Sequence, residues 1–141
     1  MRLLQILRSV SDETRLRIVL LLSHRPLCVS HLQTILRAPQ VRISKHLKSL
    51  KANGMVESRV ARNWRIYQLV SPADFELERL LECLRDCVSQ RGSFADDFAR
   101  LQAMIPDLEA SGITSGPALA PKPEPPQPEE APPGLLEEHL L

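Results

Sequence analysis

The chain has 141 residues, of which 43% are hydrophobic and 25% are charged, so its size and composition suit one globular domain with residues to spare. No apolar stretch approaches the ~20 residues that a membrane-spanning helix needs. Three cysteines are too few and too unevenly placed for a secreted disulfide framework. These features exclude a membrane protein and a disulfide-rich secreted domain, and we expect a cytoplasmic protein.

Charge is distributed unevenly along the chain. The net charge is only +1, but residues 1–70 carry 13 lysines and arginines against 3 acids, and residues 71–141 carry 5 against 14. A first half with a net charge of +10 is the electrostatic footprint of a nucleic-acid-binding protein. A solvated basic surface would explain the composition equally well.

The chain begins with two predicted helices. Apolar residues at positions 3, 4, 6 and 7 predict a short first helix. Ser11 is predicted to cap a second helix, with Asp12 and Glu13 in its first turn and apolar residues at 16, 19, 20 and 22 on its buried face. Pro26 ends this stretch.

Two further helices follow, joined by a short turn. The third is predicted over residues 29–36, with His31 and Gln33 among its exposed positions. Pro39 is predicted in the first turn of a fourth helix that runs to about residue 52, where Asn53-Gly54 terminates it in a left-handed conformation.

The hydrophobic period then changes from helix to strand. Two runs between residues 55 and 69, separated by a short polar turn, predict a β-hairpin. Ser71-Pro72 begins another predicted helix that ends near Gln90, and a last helix is predicted from residue 93 to about Met104. Eight of the twelve prolines fall between residues 117 and 133, which predicts a disordered tail.

The predicted fold is mainly α with a small β-hairpin, a winged helix-turn-helix. We expect residues 1–92 to form the DNA-binding and dimerisation domain, residues 93–110 an additional C-terminal helix, and residues 111–141 a Pro/Glu-rich disordered tail. In the fourth helix Ile43, Leu47 and Leu50 form an apolar stripe, so its polar residues point elsewhere.

Those polar residues and the basic hairpin predict a DNA-reading surface, because arginine and glutamine suit base edges while serine and lysine suit phosphates. A solvated surface would account for any one of them, but their combination is specific. The candidate contacts are Gln40, Arg42, Ser44, Lys45, His46 and Lys48 on the helix and Arg59, Arg62, Asn63 and Arg65 in the hairpin.

Five ordered blocks resemble the ArsR/SmtB family of winged-helix repressors. They are SDETRLRI (11–18), LCVSHL (27–32), QVRISKHL (40–47), LKANG (50–54) and WRIYQL (64–69). The resemblance implies a homodimer, formed by the first helix and the helix after the hairpin, that binds an inverted repeat in double-stranded DNA. It also implies release from DNA when a metal, a metalloid or another thiol-reactive inducer binds.

The sensing residues of the family are only partly present. Arsenite-sensing members often carry two cysteines in the segment that corresponds to residues 27–32, but here Cys28 is followed by Ser30 and by His31. Cys28 is therefore a weaker candidate ligand, and a buried structural cysteine is the alternative. The zinc sites of the family need histidine ligands on the helix after the hairpin, and residues 72–90 contain none.

Cys83 and Cys87 are the better candidates for a thiol sensor, because an i, i+4 spacing stacks two side chains on one helix face. Such a pair suits As(III), Sb(III) or a soft metal ion, and it also suits oxidation or persulfide chemistry. Both cysteines are equally well explained as small apolar interface residues. The stripe assigned to the dimer interface beside them is Leu77, Leu80, Leu81, Leu84 and Val88.

The sequence therefore predicts a DNA-binding regulator that needs no cofactor, and most specifically a homodimeric repressor released by a thiophilic inducer. Three alternatives remain: a regulator without an inducer, a redox- or persulfide-responsive regulator, and a winged helix that binds a protein partner. No catalytic motif is present, so we do not expect an enzyme.

Overall fold

Six helices and three strands make up the part of the chain that the computed structural model describes, namely residues 2–70, 75–88 and 91–111. In chain order the elements are α1 (Arg2–Val10), α2 (Glu13–His24), β1 (Leu27–Cys28), α3 (Val29–Leu36), α4 (Gln40–Ala52), β2 (Val56–Ala61), β3 (Trp64–Leu69), α5 (Phe75–Val88) and α6 (Gly92–Ser111). The predicted start of the fifth helix at residues 71–74, its predicted end at 89–90 and the predicted tail lie outside the described residues.

The three strands form one antiparallel sheet in the order β1-β3-β2. The hairpin β2–β3 pairs Val56 with Leu69 at one end and Ala61 with Trp64 at the other. Its two turn residues both have positive φ, 49° and 69°, which matches the twist of the strands that they join. Strand β1 was not predicted, because two residues that pair with β3 carry no readable hydrophobic period.

One hydrophobic core joins the helices. The fully buried side chains include Ile6, Ile18, Leu32, Ile35, Ile43, Leu47, Leu50, Leu101 and Leu108. Three of them are the stripe of α4 that was predicted from its spacing, and they hold that helix against α2 and α3. Helix α6 contributes two of them, so it belongs to the same core as the helix-turn-helix. The predicted fold class, a mainly helical winged helix-turn-helix, is confirmed.

Several helix boundaries differ from the prediction. Asp12 rather than Ser11 caps α2, since its carboxylate accepts a hydrogen bond from the Arg15 amide at 3.0 Å. The Ser11 hydroxyl instead donates to the Arg8 carbonyl at the end of α1. Pro39 is the residue before α4 rather than its first residue. The cap of α2 was predicted one residue too early, because Ser11 and Asp12 are adjacent and both residue types suit the N-cap position.

The Asp12 cap predicts a pH-dependent contribution to stability. The hydrogen bond from the Arg15 amide lowers the pKa of Asp12, so the contribution is present above the unfolded value of about 3.9 and is lost as the pH falls through the folded value. We expect Asp12→Ala to lower the free energy of unfolding by about 1 kcal/mol at neutral pH, and by much less in acid.

Urea unfolding across a pH series, followed by circular dichroism, measures this effect. Asp12→Asn is the matched control, because an amide oxygen caps the helix without titrating. If Asp12→Ala is as stable as the wild type at neutral pH, the cap contributes nothing.

Helix α6 runs through Pro106 to Ser111, which is beyond the predicted end at about Met104 and close to the bounds 93–110 assigned to the additional C-terminal helix. Its buried Asp97 accepts hydrogen bonds from both Nε and Nη2 of Arg17 on α2, each at 2.7 Å. Arg100, one turn later, donates to the Ile35 carbonyl in the last turn of α3 at 2.9 Å. These polar contacts fix α6 to both helices that support α4.

Candidate nucleic-acid interface

The outward face of α4 is polar and cationic. Lys45 and Lys48 lie at helical spacing from Val41, and Ser44 flanks them; all four side chains are exposed, as is Gln40 at the helix start. The opposite face is closed by the buried stripe, so α4 presents these residues in one orientation only. The first two turns of such a helix are the part that reads base edges in helix-turn-helix proteins.

Val41 was missed by the sequence-based assignment. Its side chain is 80% exposed, more than that of any other large hydrophobic residue in the described part of the chain. A large apolar side chain on the outer face of a cationic helix matches the methyl group of thymine, which apolar side chains contact in the major groove. Its position outside the buried stripe was the available signal.

Arg42 and His46 lie on the flank of α4 that faces the start of α2. Arg42 is exposed and remains available to DNA. The side chain of His46 is only 16% exposed, and its Nδ1 lies 4.0 Å from the Asp12 carboxylate. Burial lowers the pKa of His46, so the neutral ring offers no charge to a phosphate at neutral pH. His46 therefore packs between α4 and α2, and it is a weaker candidate for DNA contact than its exposed neighbours.

The hairpin presents three of its four predicted residues to solvent. Arg62 and Asn63 form the exposed turn, and Arg65 is exposed on β3. Arg59 differs, because it is half-buried and its Nε and one terminal nitrogen are inaccessible to solvent. The fully exposed cationic residues of the wing therefore lie in its turn and on β3.

A hydrogen-bonded contact connects the wing to α4. The Lys51 ammonium group donates to the Ser58 hydroxyl at 3.0 Å, and Arg65 Nη1 lies 3.5 Å from the same oxygen. Two cations that converge on one exposed hydroxyl form a place where a phosphate oxygen would be stabilised. Lys51 was not among the predicted contacts, since its distance to β2 is set by the tertiary fold.

The end of α4 is anchored by α1. Arg2 donates from Nη1 to the Asn53 carbonyl at 2.6 Å and from Nη2 to the Gly54 carbonyl at 3.1 Å. The side-chain amide of Asn53 donates from Nδ2 to the Ser9 hydroxyl at 2.8 Å. These bonds satisfy carbonyls that a helix end leaves without partners, and they connect the orientation of α4 to that of the first helix.

Cys83 and Cys87 are both exposed on α5, one turn apart. The charge of a Cys87 thiolate and a hydrogen bond between the two side chains raise the pKa of Cys83. In the described segments, no group of three His, Cys, Asp or Glu residues is placed to hold a metal ion.

Cys28 occupies a different environment. It is buried in a small cluster with Ile66 and Ala61, and burial raises the pKa of its thiol. His31 is half-buried rather than exposed as predicted; its Nδ1 accepts a hydrogen bond from the Cys28 amide, and its ring stacks on Trp64. His31 thus connects α3 to the wing, and its Nδ1 is engaged by the Cys28 backbone amide.

The five apolar residues assigned to a dimer interface have different surroundings. Leu77 and Leu81 are buried in the core of the chain, whereas the other three are half-buried at its edge. A side chain that is already buried has almost no surface left to bury against a partner. Exposed apolar surface is instead found on α1, at Leu3, Leu4 and Leu7, and at Phe75 on α5.

The apolar stripe of this helix-turn-helix is buried, and its recognition helix presents polar residues beside a basic wing. This arrangement defines a winged-helix DNA-binding protein. Comparison with known proteins agrees. The bacterial regulatory protein, arsR family, matches residues 12–58. The arsenic resistance transcriptional regulator ArsR2 of Pseudomonas putida is 36% identical over 100 residues, which are 70% of this chain and 85% of that protein.

Two further relatives support the same placement. The arsenical resistance operon repressor of Escherichia coli K12 is 43% identical over 67 residues, which are 47% of this chain and 57% of that repressor. HlyU from Vibrio cholerae N16961 has a similar solved structure, with a TM-score of 0.58 and 27% identity over 63% of this chain and 94% of HlyU. The chain belongs to the ArsR family and is a DNA-binding transcriptional regulator. No helix of the described residues is long and apolar enough to cross a membrane.

Proposed function

We propose that this regulator acts as a homodimeric repressor that binds an inverted repeat in double-stranded DNA. The outward face of α4 carries the proposal, because Gln40, Val41, Ser44, Lys45 and Lys48 are all exposed on it. This face enters the major groove, while Arg62 and Arg65 of the wing contact the neighbouring phosphates. The similarity to an arsenical resistance operon repressor supports repression as the direction of regulation.

A footprinting experiment on the DNA upstream of its own gene tests this role. We expect protection of two half-sites about one helical turn apart, related by a two-fold axis. Protection of a single unrepeated site, or of no site, would rule out the dimeric repressor. A winged helix that binds a protein partner would give no protection.

The proposed dimer interface is the exposed apolar surface of α1 together with α5. Leu4 and Leu7 are 49% and 41% exposed, and α1 packs directly beside α5. We expect the double variant Leu4→Glu, Leu7→Glu to be a folded monomer by light scattering, because burying two carboxylates costs more than the lost apolar contacts. Val60→Glu, at an exposed valine of the wing, should remain dimeric. A dimeric double variant would place the interface elsewhere.

We further propose that Cys83 and Cys87 bind a thiophilic inducer such as arsenite, with the equivalent thiols of the second protomer completing the site. The names of two relatives associate them with arsenic resistance, and the two thiols are exposed and adjacent. Thiol oxidation is the second candidate signal, since a reduced form of HlyU is among the similar solved structures.

Arsenite is expected to release the wild-type protein from its operator and to leave Cys83→Ser and Cys87→Ser bound. Each substitution leaves only one of the two proposed thiols in each chain, so the site loses half of the soft ligands that would bind arsenite. Fluorescence anisotropy of labelled operator, titrated with arsenite under reducing conditions, measures the release. Cys28→Ala is the control and should respond like the wild type. Full release of both serine variants would remove this pair from the mechanism, and release by an oxidant alone would favour the redox candidate.

A further inference from the structure

A cavity of about 240 Å³ lies between α2, α5 and α6, on residues that the proposed DNA and thiol sites do not use. Its walls are largely apolar side chains from the three helices, Leu20, Leu21, Val88, Phe94 and Phe98. An apolar cavity of about 150 Å³ in another protein is large enough to bind benzene. The volume here therefore accommodates a small ring or a short branched chain with one polar group attached.

Arg85 lies at the edge of this cavity, and its hydrogen-bond partners among the described residues are neutral. Arg85 donates from Nε to the Ser23 hydroxyl at 3.2 Å, and its Nη2 lies 3.5 Å from the Ser23 carbonyl. Among the described residues, no carboxylate lies within ion-pair distance of this guanidinium. Both hydrogen bonds of this half-buried arginine are long, and both acceptors are neutral. Its guanidinium group is therefore suited to bind an anion.

The other charged groups near the cavity are already paired. Arg17 forms a bidentate ion pair with Asp97, and Arg100 lies 3.4 Å from the same carboxylate. Glu82, one turn before Arg85 on α5, pairs with Arg79 at 3.3 Å. His24 also lines the cavity and packs against Phe98; burial and the neighbouring Arg85 lower its pKa, so it is a neutral hydrogen-bonding group there.

We propose that this cavity binds a small monocarboxylic acid with an apolar body. The carboxylate pairs with Arg85, and the body contacts the phenylalanines of α6 and the leucines of α2. A single guanidinium among apolar walls matches one carboxylate better than a phosphate, which needs several donors. This site is separate from the thiols of α5 and does not depend on the function proposed above.

Isothermal titration calorimetry of the full chain tests the proposal, with benzoate, phenylacetate and hexanoate each compared with the corresponding amide. We expect at least one acid to bind roughly tenfold or more tightly than its amide, which is the minimum that a charged hydrogen bond in a half-buried site supplies. Arg85→Gln should abolish this preference. Arg62→Gln, at an exposed arginine in the turn of the wing and outside the cavity, should preserve it. Val88→Phe should block binding by filling the cavity.

Three results would overturn the proposal. They are equal binding of acids and amides, an acid preference that survives in Arg85→Gln, and no binding of any acid to the full chain. The last result includes the case in which acids bind only after residues 112–141 are removed, since the chain itself would then occupy the cavity. Val88→Phe keeps the test decisive if Arg85→Gln does not fold.

Discussion

Replacing Asp97 with alanine is expected to lower the free energy of unfolding by about 3–5 kcal/mol, the cost of breaking a buried ion pair from one side. Asp97 is 2% exposed and accepts two hydrogen bonds at 2.7 Å from Arg17, whose side chain is itself only 17% exposed. Alanine leaves the Arg17 charge in a largely buried position without its hydrogen-bonded carboxylate, and it removes an ion pair that joins α6 to α2.

Urea unfolding followed by circular dichroism measures the loss. Asp96→Ala is the matched control, because Asp96 is the neighbouring acid on α6 but is exposed, so its effect should stay within about 0.5 kcal/mol. A loss below about 1 kcal/mol in Asp97→Ala would show that α6 does not depend on this ion pair.

Replacing Arg42 with alanine is expected to cost about 1–3 kcal/mol in binding to the operator and much less on random DNA. Arg42 is exposed in the first turn of α4, where a guanidinium can form two hydrogen bonds with guanine. Lys48 lies farther along the helix and is expected to contact phosphate. Lys48→Ala should therefore weaken binding to all sequences by similar factors.

Fluorescence anisotropy with operator and scrambled duplexes separates these two roles. Arg91→Ala removes one exposed positive charge just before α6 and should change neither affinity. Equal losses of Arg42→Ala on the operator and on scrambled DNA would contradict a base-reading role and assign Arg42 to the backbone.

The surface of the helix-turn-helix was predictable because it depends on local spacing. The stripe of Ile43, Leu47 and Leu50 defines which face of α4 is buried, so the exposed residues follow from helical geometry. The bounds of α3 agree with the prediction for the same reason. The hairpin was equally predictable, since apolar and polar residues alternate in the sequence of its strands and its turn is short and polar.

Contacts between distant segments were not predictable. Arg2 meets the end of α4 across 51 residues, and Arg17 meets Asp97 across 80. Periodicity identified the apolar stripe of α5 but not which element covers it, so Leu77 and Leu81 were assigned to a dimer although they face the core of the chain. His46 was placed on DNA because its sequence neighbours point there, whereas its side chain turns towards Asp12.

Specific DNA binding by the α4 face and the wing is the central claim, and the salt dependence of operator affinity tests it most directly. If the two protomers neutralise about 6–10 phosphates, affinity should fall by about 10³–10⁵ between 50 mM and 200 mM salt, and the operator should remain the tighter duplex throughout. Affinity that does not change with salt, or that is equal for operator and random DNA, would contradict the account.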